Sequence, residues 1–531
     1  MRTLRCALGL LLTAAVASCQ QPAPAAPAAP TGQEPSLREQ AFGAENRGQF
    51  AVAAEAFLKL VAEEPGNAEW VVSAGRCLGR SGRFRDAIDL LDGARKKFPG
   101  VIDVPAMLAR TYLLKSEMDS GALHPEMLWA DAAELAEGVL QLNPDHEDSR
   151  LVLAQARYLL GDWTAAVQQA EEAVRRHPQR PGAHILLGRI AMDRFRELLK
   201  VHAASKPTGQ TEADLVGAID KERQTAKRSF LRAAELDPSR AHPHVMLAQL
   251  AALDQKSDAA RAHLLDALVA DPDVALDHAR FERELDWQGR RDAYAAALRR
   301  YRARTNAQPQ KAATLRWYEG KAMYDGREWA LAKQAFDEVL LGNPTATNSH
   351  YYAAMCSFQL GDHDAAEQHA AAYAAISATA FAEVVRTLAG DARGEVAAIV
   401  KFLADRAYGK GRIDRSRDLN HVIALLLDTA DAWNNRAFLC RETGQFRDAL
   451  AAYQRALEKE PDSPQLLNDT GVILHYHLPS PENLARARGM YERALQLAGQ
   501  VLADASAAAP ARERAKQTKD DATANLAALP K

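Results

Sequence analysis

Two pairs of closely spaced histidines are the residues whose type and spacing best match metal ligands. His242 and His244 are separated by one residue, and so are His475 and His477. Two imidazoles need further ligands to hold a transition metal. Neither pair has a cysteine or a convincing acidic residue nearby in the sequence. We therefore expect packed or solvated imidazoles, and we predict no metal site and no cofactor.

Motifs for enzymatic chemistry are missing from the sequence. It contains no H-E-x-x-H, no G-x-S-x-G and no P-loop. The run from Gly409 to Gly411 is only weakly like a nucleotide-binding turn, because no third glycine follows it and no strand precedes it. We expect a loop there, and we predict that the chain is not an enzyme.

Three cysteines and a basic run remain as candidates for chemistry. Cys77, Cys356 and Cys440 are far apart and fall midway along predicted helices, where small buried hydrophobic residues explain them better than nucleophiles. The basic run, Lys410 to Arg417, is interpreted either as a solvated loop or as a site for an acidic partner.

An aromatic segment, LRWYEGKAMYDG, has the spacing of a binding surface. Trp317, Lys321 and Tyr324 follow one another at i, i+4 and i+7, so they lie on one stripe of a helix. Tyr318 adds a further ring beside them. The rings either face a groove or fill the core between helices, and tyrosine serves both roles.

A second aromatic segment, SHYYAAMCSFQLG, repeats this arrangement in the next helical stretch. Tyr351, Met355 and Phe358 form the equivalent stripe, and Tyr352 lies beside it. We predict a partner-binding groove made by the aromatic residues of both segments together with Lys321.

Prolines reveal the elements that must position these residues. Pro65 and Pro99, Pro144 and Pro178, and Pro238 and Pro272 are each 34 residues apart. Each proline follows an apolar pattern with helical period, and proline stops a helix because it cannot continue the hydrogen-bond ladder.

A glycine marks the middle of many of these units. It lies between two helical patterns, and an alanine follows it by five residues, where two helices must approach closely. The pairs are Gly48 and Ala53, Gly82 and Ala87, Gly161 and Ala166, Gly361 and Ala366, and Gly444 and Ala449. Each unit is therefore predicted to be two antiparallel helices.

This pattern resembles the tetratricopeptide repeat, whose period is about 34 residues. The segment from Asp431 to Pro461 matches it most closely, and the segment from Ala68 to Pro99 matches it well. The resemblance implies an all-α, right-handed α-solenoid of stacked helix pairs, whose first helices line a concave groove. It also places the two aromatic stripes in that groove.

The start of the chain resembles a bacterial lipoprotein signal. Arg2 and Arg5 precede a short apolar stretch, which ends in Val16-Ala17-Ser18-Cys19. The resemblance implies cleavage before Cys19 and acylation of its thiol and new amino group. An ordinary signal peptide cut near Ala17 is the alternative.

The following residues, 20–33, are rich in glutamine, proline and alanine, which predicts an extended tether.

From these observations we predict seven segments. They are a signal peptide (1–18), a tether (19–33), an N-terminal repeat array with two insertions (34–275), divergent and regular repeats (276–375), a degenerate helical segment or hinge (376–429), a C-terminal repeat pair (430–499), and a terminal helix and tail (500–531).

Charge and composition limit the partners. The 531-residue chain has a formal net charge of −3, with no concentrated basic region, so we expect no nucleic-acid partner. We predict a lipid-anchored scaffold that binds proteins or peptide segments in the bacterial cell envelope, at the periplasmic face of the outer membrane. An accessory component of polysaccharide synthesis or export, or the helical part of an enzyme complex, is the alternative.

Overall fold

A computed structural model describes residues 36–119, 124–273 and 275–530. Within these ranges the chain forms 25 α-helices and a π-helical segment, Ile473–His477, and no β-strand. This confirms the predicted fold class, an all-α solenoid of stacked helix pairs. The predicted signal peptide, the tether and Cys19 lie outside the described residues.

The described residues divide into two compact units between Glu197 and Leu198, within helix α9. The helices up to this one are α1 (Leu37–Asn46), α2 (Phe50–Glu63), α3 (Ala68–Arg80), α4 (Phe84–Lys97), α5 (Asp103–Met118), α6 (Pro125–Leu142), α7 (Glu147–Leu159), α8 (Trp163–Arg176) and α9 (Pro181–Ser205).

The second unit continues with longer and shorter helix pairs. They are α10 (Gly209–Leu236), α11 (Ala241–Leu253), α12 (Ser257–Ala270), α13 (Ala275–Glu284), α14 (Trp287–Arg302), α15 (Pro309–Asp325), α16 (Trp329–Gly342), α17 (Thr347–Gln359), α18 (His363–Thr387), α19 (Asp391–Gly409), α20 (Ile413–Leu427), α21 (Ala430–Glu442), α22 (Phe446–Lys459), α23 (Pro464–Val472), α24 (Pro481–Ala503) and α25 (Ala509–Ala528).

None of the helices in the described ranges has both the length and the apolar character that a membrane span requires.

The turn inside a helix pair depends on a left-handed residue. Between α3 and α4, Gly82 has φ +82°, and the amide of Arg83 donates to the carbonyl of Leu78 at 3.0 Å. This geometry ends one helix and starts the next. Ala87, five residues after the glycine, is completely buried where the two helices touch.

Two turns have the same geometry without glycine. Gln255 has φ +59° between α11 and α12, and Arg327 has φ +61° between α15 and α16. In both turns, a buried alanine follows five positions later. Ala260 is 1% exposed and Ala332 is 0% exposed. The glycine pattern missed these two turns because a residue with a side chain occupies the left-handed position.

Glycines inside first helices allow close helix contact. A Cβ on Gly471 of α23 would lie 2.6 Å from the ring of Tyr491, and one on Gly75 would lie 2.8 Å from the side chain of Leu91. Both Leu91 and Tyr491 are fully buried. The missing side chain is therefore what lets the second helix pack against the first.

The segment 376–429 contains a further helix pair, α19 and α20. Gly411 has φ +71°, and the amide of Arg412 donates to the carbonyl of Ala407 at 2.9 Å, as in the other turns. The buried position five residues after the glycine is Ser416, not alanine. Because serine occupies the position where the other pairs have alanine, the glycine–alanine pattern does not detect this pair.

Ion pairs fix this extra pair to the preceding helix. Glu367 of α18 is completely buried, and Arg412 and Arg415 contact its carboxylate at 2.5 and 3.3 Å. Arg412 and Lys410 also contact Asp364 at 2.8 and 2.9 Å. The basic run of the sequence is thus engaged by acidic residues of the chain itself.

Candidate functional site

A cavity of about 480 Å³ lies in the second unit, among helices α15, α17, α18 and α19. This volume falls within the ~300–1,000 Å³ usual for ligand pockets. We call it the aromatic cavity. Its lining residues are Trp317, Lys321, Tyr324, Asn348, Tyr351, Tyr352, Met355, Gln359, Val384, Thr387, Leu388, Ala392, Glu395, Val396 and Ile399.

The first wall of the aromatic cavity follows from helix periodicity. Trp317, Lys321 and Tyr324 lie on the same face of α15 because they are four and three residues apart. Tyr351 and Met355 of α17 are likewise one turn apart, and both are almost completely buried. Two adjacent first helices therefore present their aromatic faces to the same space.

The rings of this wall pack at right angles to one another. The ring centroid of Tyr352 lies 5.7 Å from that of Trp317 and 4.9 Å from that of Tyr324, both in edge-to-face geometry. Its other neighbour, Phe336 of α16, is stacked on it at 5.2 Å. These contacts restrict the rings, so the wall is pre-organised.

The opposite wall exists because α18 is broken. Ser377 has non-helical angles, φ −161° and ψ 95°, and its hydroxyl accepts a hydrogen bond from the amide of Ala380 at 3.1 Å. The hydroxyl thereby caps a new helical stretch. That stretch carries Val384 and leads to Leu388, which both line the cavity.

Helix α19 completes the opposite wall with aliphatic residues. Val396 and Ile399 are buried, three residues apart, and face the cavity. Ala392 and Glu395, one turn earlier, are exposed at its edge. The aromatic cavity therefore has an apolar floor and a more polar edge.

Charges at the edge are partly neutralised. The ammonium group of Lys321 lies 2.6 Å from the Asp325 carboxylate and 5.7 Å from the ring centroid of Tyr352. Arg290 contacts the same carboxylate at 2.9 Å. The carboxylate of Glu395 is exposed and has no ion-pair partner among the described residues.

Burial also sets the state of the phenols. Desolvation raises the pKa of Tyr351 to about 12, and desolvation raises the pKa values of Tyr324 and Tyr352 as well. All three remain neutral near neutral pH and contribute apolar area rather than charge.

One hydrogen-bond donor at the aromatic cavity is unsatisfied. The buried indole nitrogen Nε1 of Trp317 has no acceptor among the described residues. A buried N–H without a partner costs roughly 1–3 kcal/mol.

The sequence-predicted groove residues fall into two groups. Five line the aromatic cavity, namely Trp317, Lys321, Tyr324, Tyr351 and Tyr352. The other two do not. Tyr318 stacks on His278 in the core formed with α14, and Phe358 packs against His363 and Phe402.

The aliphatic wall was not predicted from the sequence. It is formed by Val384, Leu388, Val396 and Ile399. These residues belong to the stretch in which the repeat period is lost. Their spacing of three or four residues is a helical signal, but it does not reveal which helix they face.

The cysteines of the described residues are buried thiols. Cys77, Cys356 and Cys440 carry no disulfide, and desolvation raises the pKa values of Cys77 and Cys356 to about 12. A thiol with such a pKa is protonated and a poor nucleophile.

Family models of the tetratricopeptide repeat match four parts of the chain, residues 40–102, 129–193, 319–381 and 430–463. The chain therefore contains tetratricopeptide repeats. This repeat is typically a non-catalytic scaffold that binds other proteins or peptides. Among curated proteins, no relative matches the chain.

Solved structures of other proteins resemble the chain at low sequence identity and low TM-score. A tetratricopeptide repeat protein from Parabacteroides merdae ATCC 43184 is 14% identical, with 60% of this chain and 97% of that chain covered and a TM-score of 0.30. YrrB, described as having an unusual peptide-binding site, is 17% identical, with 43% and 99% covered and a TM-score of 0.28.

The Cut9–Hcn1 hetero-tetramer of the APC/C is a third such structure. It is 13% identical, with 91% of this chain and 95% of that chain covered and a TM-score of 0.28. At these identities the likeness concerns the fold alone.

Proposed function

We propose that the chain is a scaffold that binds a segment of another protein in the aromatic cavity. The observation that carries this proposal is the arrangement of a packed aromatic wall facing an aliphatic wall across about 480 Å³. Large rings with few rotatable bonds supply much of the energy in protein interfaces, and a pre-formed cavity lowers the ordering cost.

The chemistry of the cavity favours a peptide with apolar side chains. The floor is apolar and includes the buried side chains of Val396 and Ile399. Lys321 is already paired with Asp325, whereas Glu395 is exposed at the edge. We therefore expect a segment with apolar residues and a basic residue beside them.

A substitution at the edge of the aromatic cavity tests whether a segment binds there, without disturbing the core. Ala392 is exposed and lines the cavity, so Ala392→Trp should fill the entrance while leaving the fold intact. Ala398 is an exposed alanine of the same helix outside the lining, so Ala398→Trp is the matched control. Melting curves of both variants should resemble that of the parent.

The partner segment is identified by photo-crosslinking in cells from position 387, an exposed lining residue, followed by mass spectrometry of the linked peptide. A synthetic copy of that peptide is then titrated into the purified proteins. We expect binding to the parent and to Ala398→Trp, and a loss of roughly tenfold or more in Ala392→Trp. Equal binding to all three proteins contradicts the proposal.

We further propose that Cys19 carries the lipid anchor of a bacterial envelope lipoprotein, at the periplasmic face of the outer membrane. The support is the sequence Val16-Ala17-Ser18-Cys19 followed by a proline- and alanine-rich stretch. More than one acyl chain is needed for stable membrane attachment, and lipoprotein acylation supplies several.

Fractionation and mass spectrometry test the anchor. The expected result is an acylated N-terminal peptide that begins at Cys19 in the outer-membrane fraction, and release of Cys19→Ala from membranes. An unmodified Cys19, or cleavage at another bond, overturns the anchor but leaves the binding proposal intact.

A further inference from the structure

Three potential metal ligands converge in the second unit, away from the aromatic cavity. His244 lies on α11, and His263 and Asp266 lie on α12. One ligand atom from each lies within 4.8 Å of the others. The carboxylate oxygen Oδ2 of Asp266 is 4.0 Å from Nδ1 of His244 and 4.0 Å from Nδ1 of His263.

The fold brings these residues together across one helix pair. His263 and Asp266 are three residues apart and share a face of α12. His244 is 19 residues before His263, on the antiparallel helix. No acidic residue lies close to His244 in the sequence, but Asp266 of the neighbouring helix lies close to it in the structure.

In another helix pair, two histidines with the same spacing form a hydrogen bond with each other. His350 and His369 are also 19 residues apart, and their Nδ1 atoms lie 3.2 Å from one another in a hydrogen bond. By contrast, the buried Nδ1 atoms of His244 and His263 have no hydrogen-bond partner among the described residues. Two such atoms turned toward one carboxylate are costly unless something lies between them.

A neighbouring cation orients the carboxylate of Asp266. Arg300 of α14 donates from Nη2 to Oδ1 of Asp266 at 2.7 Å. It holds the carboxylate by one oxygen and leaves the other toward the histidines, as supporting residues of metal sites do.

We propose that His244, His263 and Asp266 bind one divalent transition-metal ion, for which Zn²⁺ is the best match. Two imidazoles and one carboxylate form a known ligand set for Zn²⁺, whereas Mg²⁺ and Ca²⁺ prefer oxygen ligands alone. Arg300 offsets the charge of Asp266, which further disfavours ions that rely on carboxylates.

Zinc binding requires the three ligand atoms to move closer together. Zn²⁺ bonds of about 2.1 Å in tetrahedral geometry place ligand atoms about 3.4 Å apart. The two 4.0 Å separations therefore need to shorten by about half an ångström, and the two histidine nitrogens, which lie within 4.8 Å of one another, by up to about 1.4 Å, through side-chain rotations. A cavity of about 450 Å³, lined by His244, Asp266 and Arg300 among others, gives the ion a route in and room for a water as fourth ligand.

The bound ion would act as a clamp between α11 and α12. It would join a first helix to its second helix, in a pair whose turn lacks the usual glycine. Because the ion binds the folded protein and not the separated ligands, it should raise the melting temperature.

Isothermal titration of the untagged full chain with Zn²⁺ tests the site, and Co²⁺ reports ligand geometry through its visible absorption. We expect Zn²⁺ binding that weakens roughly tenfold or more in His263→Ala and Asp266→Asn. Zn²⁺ should raise the melting temperature of the parent and not of these variants. His242→Ala, an exposed histidine of the same helix outside the group, should behave as the parent.

Asp266→Asn retains the shape of the side chain and a hydrogen bond to Arg300, so it keeps the test valid if the histidine variant is unstable. Two results overturn the proposal. One is the absence of Zn²⁺ binding to the parent. The other is binding that is equal in the parent, in Asp266→Asn and in a folded His263→Ala.

Discussion

The imidazole of His278 lies flat against the ring of Tyr318, with centroids 3.6 Å apart and planes inclined by 6°. The hydroxyl of Tyr294 lies 3.1 Å from Nδ1 of this histidine, and Nε2 donates to the carbonyl oxygen of Pro272 at 2.8 Å. This relationship fixes Tyr318 in the core and explains why, of these two adjacent residues, only Trp317 lines the aromatic cavity.

The same histidine should make stability depend on pH. Desolvation lowers the pKa of His278 to about 4, below the ordinary value of about 6.5 in the unfolded chain. The unfolded chain therefore takes up the proton first, so stability present above about pH 6.5 is lost as the pH falls toward about pH 4. His278→Gln should lower that loss by roughly 3 kcal/mol.

Urea unfolding at several pH values gives the free energy of unfolding at each pH. The slope of this free energy against pH is compared between the parent and the variant, because the substitution also removes contacts and so changes stability at every pH. Identical slopes for the parent and His278→Gln would show that this histidine does not titrate in the expected window.

Glycine should stabilise the two turns that lack it. Gln255 adopts a left-handed conformation at φ +59°, which is costly for a residue with a Cβ. Gln255→Gly should therefore raise stability by roughly 0.5–1 kcal/mol, even though glycine makes the unfolded chain more flexible. The reverse change, Gly82→Ala at φ +82°, should lower stability by about 1–2 kcal/mol.

Thermal melts of both variants check the sign. A loss of stability in Gln255→Gly would mean that contacts of the glutamine side chain outweigh its backbone conformation.

Two glycines in the C-terminal pair should respond oppositely to alanine. A Cβ on Gly471 would lie 2.6 Å from the fully buried ring of Tyr491, so Gly471→Ala should cost roughly 1–3 kcal/mol. A Cβ on Gly489 meets nothing within 4 Å, so Gly489→Ala on α24 should gain up to about 1 kcal/mol. Circular dichroism melts distinguish them, and a neutral Gly471→Ala would show that the helices can separate freely.

The buried carboxylate of Glu367 should depend on its two arginines. Arg412→Ala combined with Arg415→Ala leaves a completely buried charge unpaired, which should cost about 3–5 kcal/mol. Adding Glu367→Gln to the double variant removes the charge and should restore much of the stability. If stability is recovered, the loss in the double variant came from the unpaired charge. If it is not recovered, the loss came from the missing packing of the arginine side chains.

The exposed pair Lys401 and Asp405 provides the control. Alanine at both positions should change stability by no more than about 1 kcal/mol. A similar loss in the control and in the arginine double variant would argue against a special role of the buried charge.

Local geometry explains which parts of the fold were predictable. Proline after a helix and glycine in a turn are direct consequences of backbone conformation, so the helix pairs could be predicted from their period. The pair formed by α19 and α20 was hidden because Ser416 replaces the small alanine and no proline follows α20, which ends at the left-handed Asp428.

The candidate site was only half predictable for a related reason. The stripe of Trp317 and Tyr324 follows from spacing within one helix, whereas Val396 and Ile399 approach it only through the break at Ser377. Likewise, His244 and Asp266 are brought close together only because α11 and α12 pack against each other as an antiparallel pair. The spacing of 19 residues between His244 and His263 is the signal that sequence analysis should use in helix-pair repeats.

The break at Ser377 also has a consequence for cooperativity. Stacked helix pairs normally interact with their nearest neighbours only, so they can open one after another. A segment that fills the aromatic cavity would touch α15, α17, the end of α18 and α19 at once. It would thereby join three successive pairs, so that this region, in the bound state, opens as a single cooperative block.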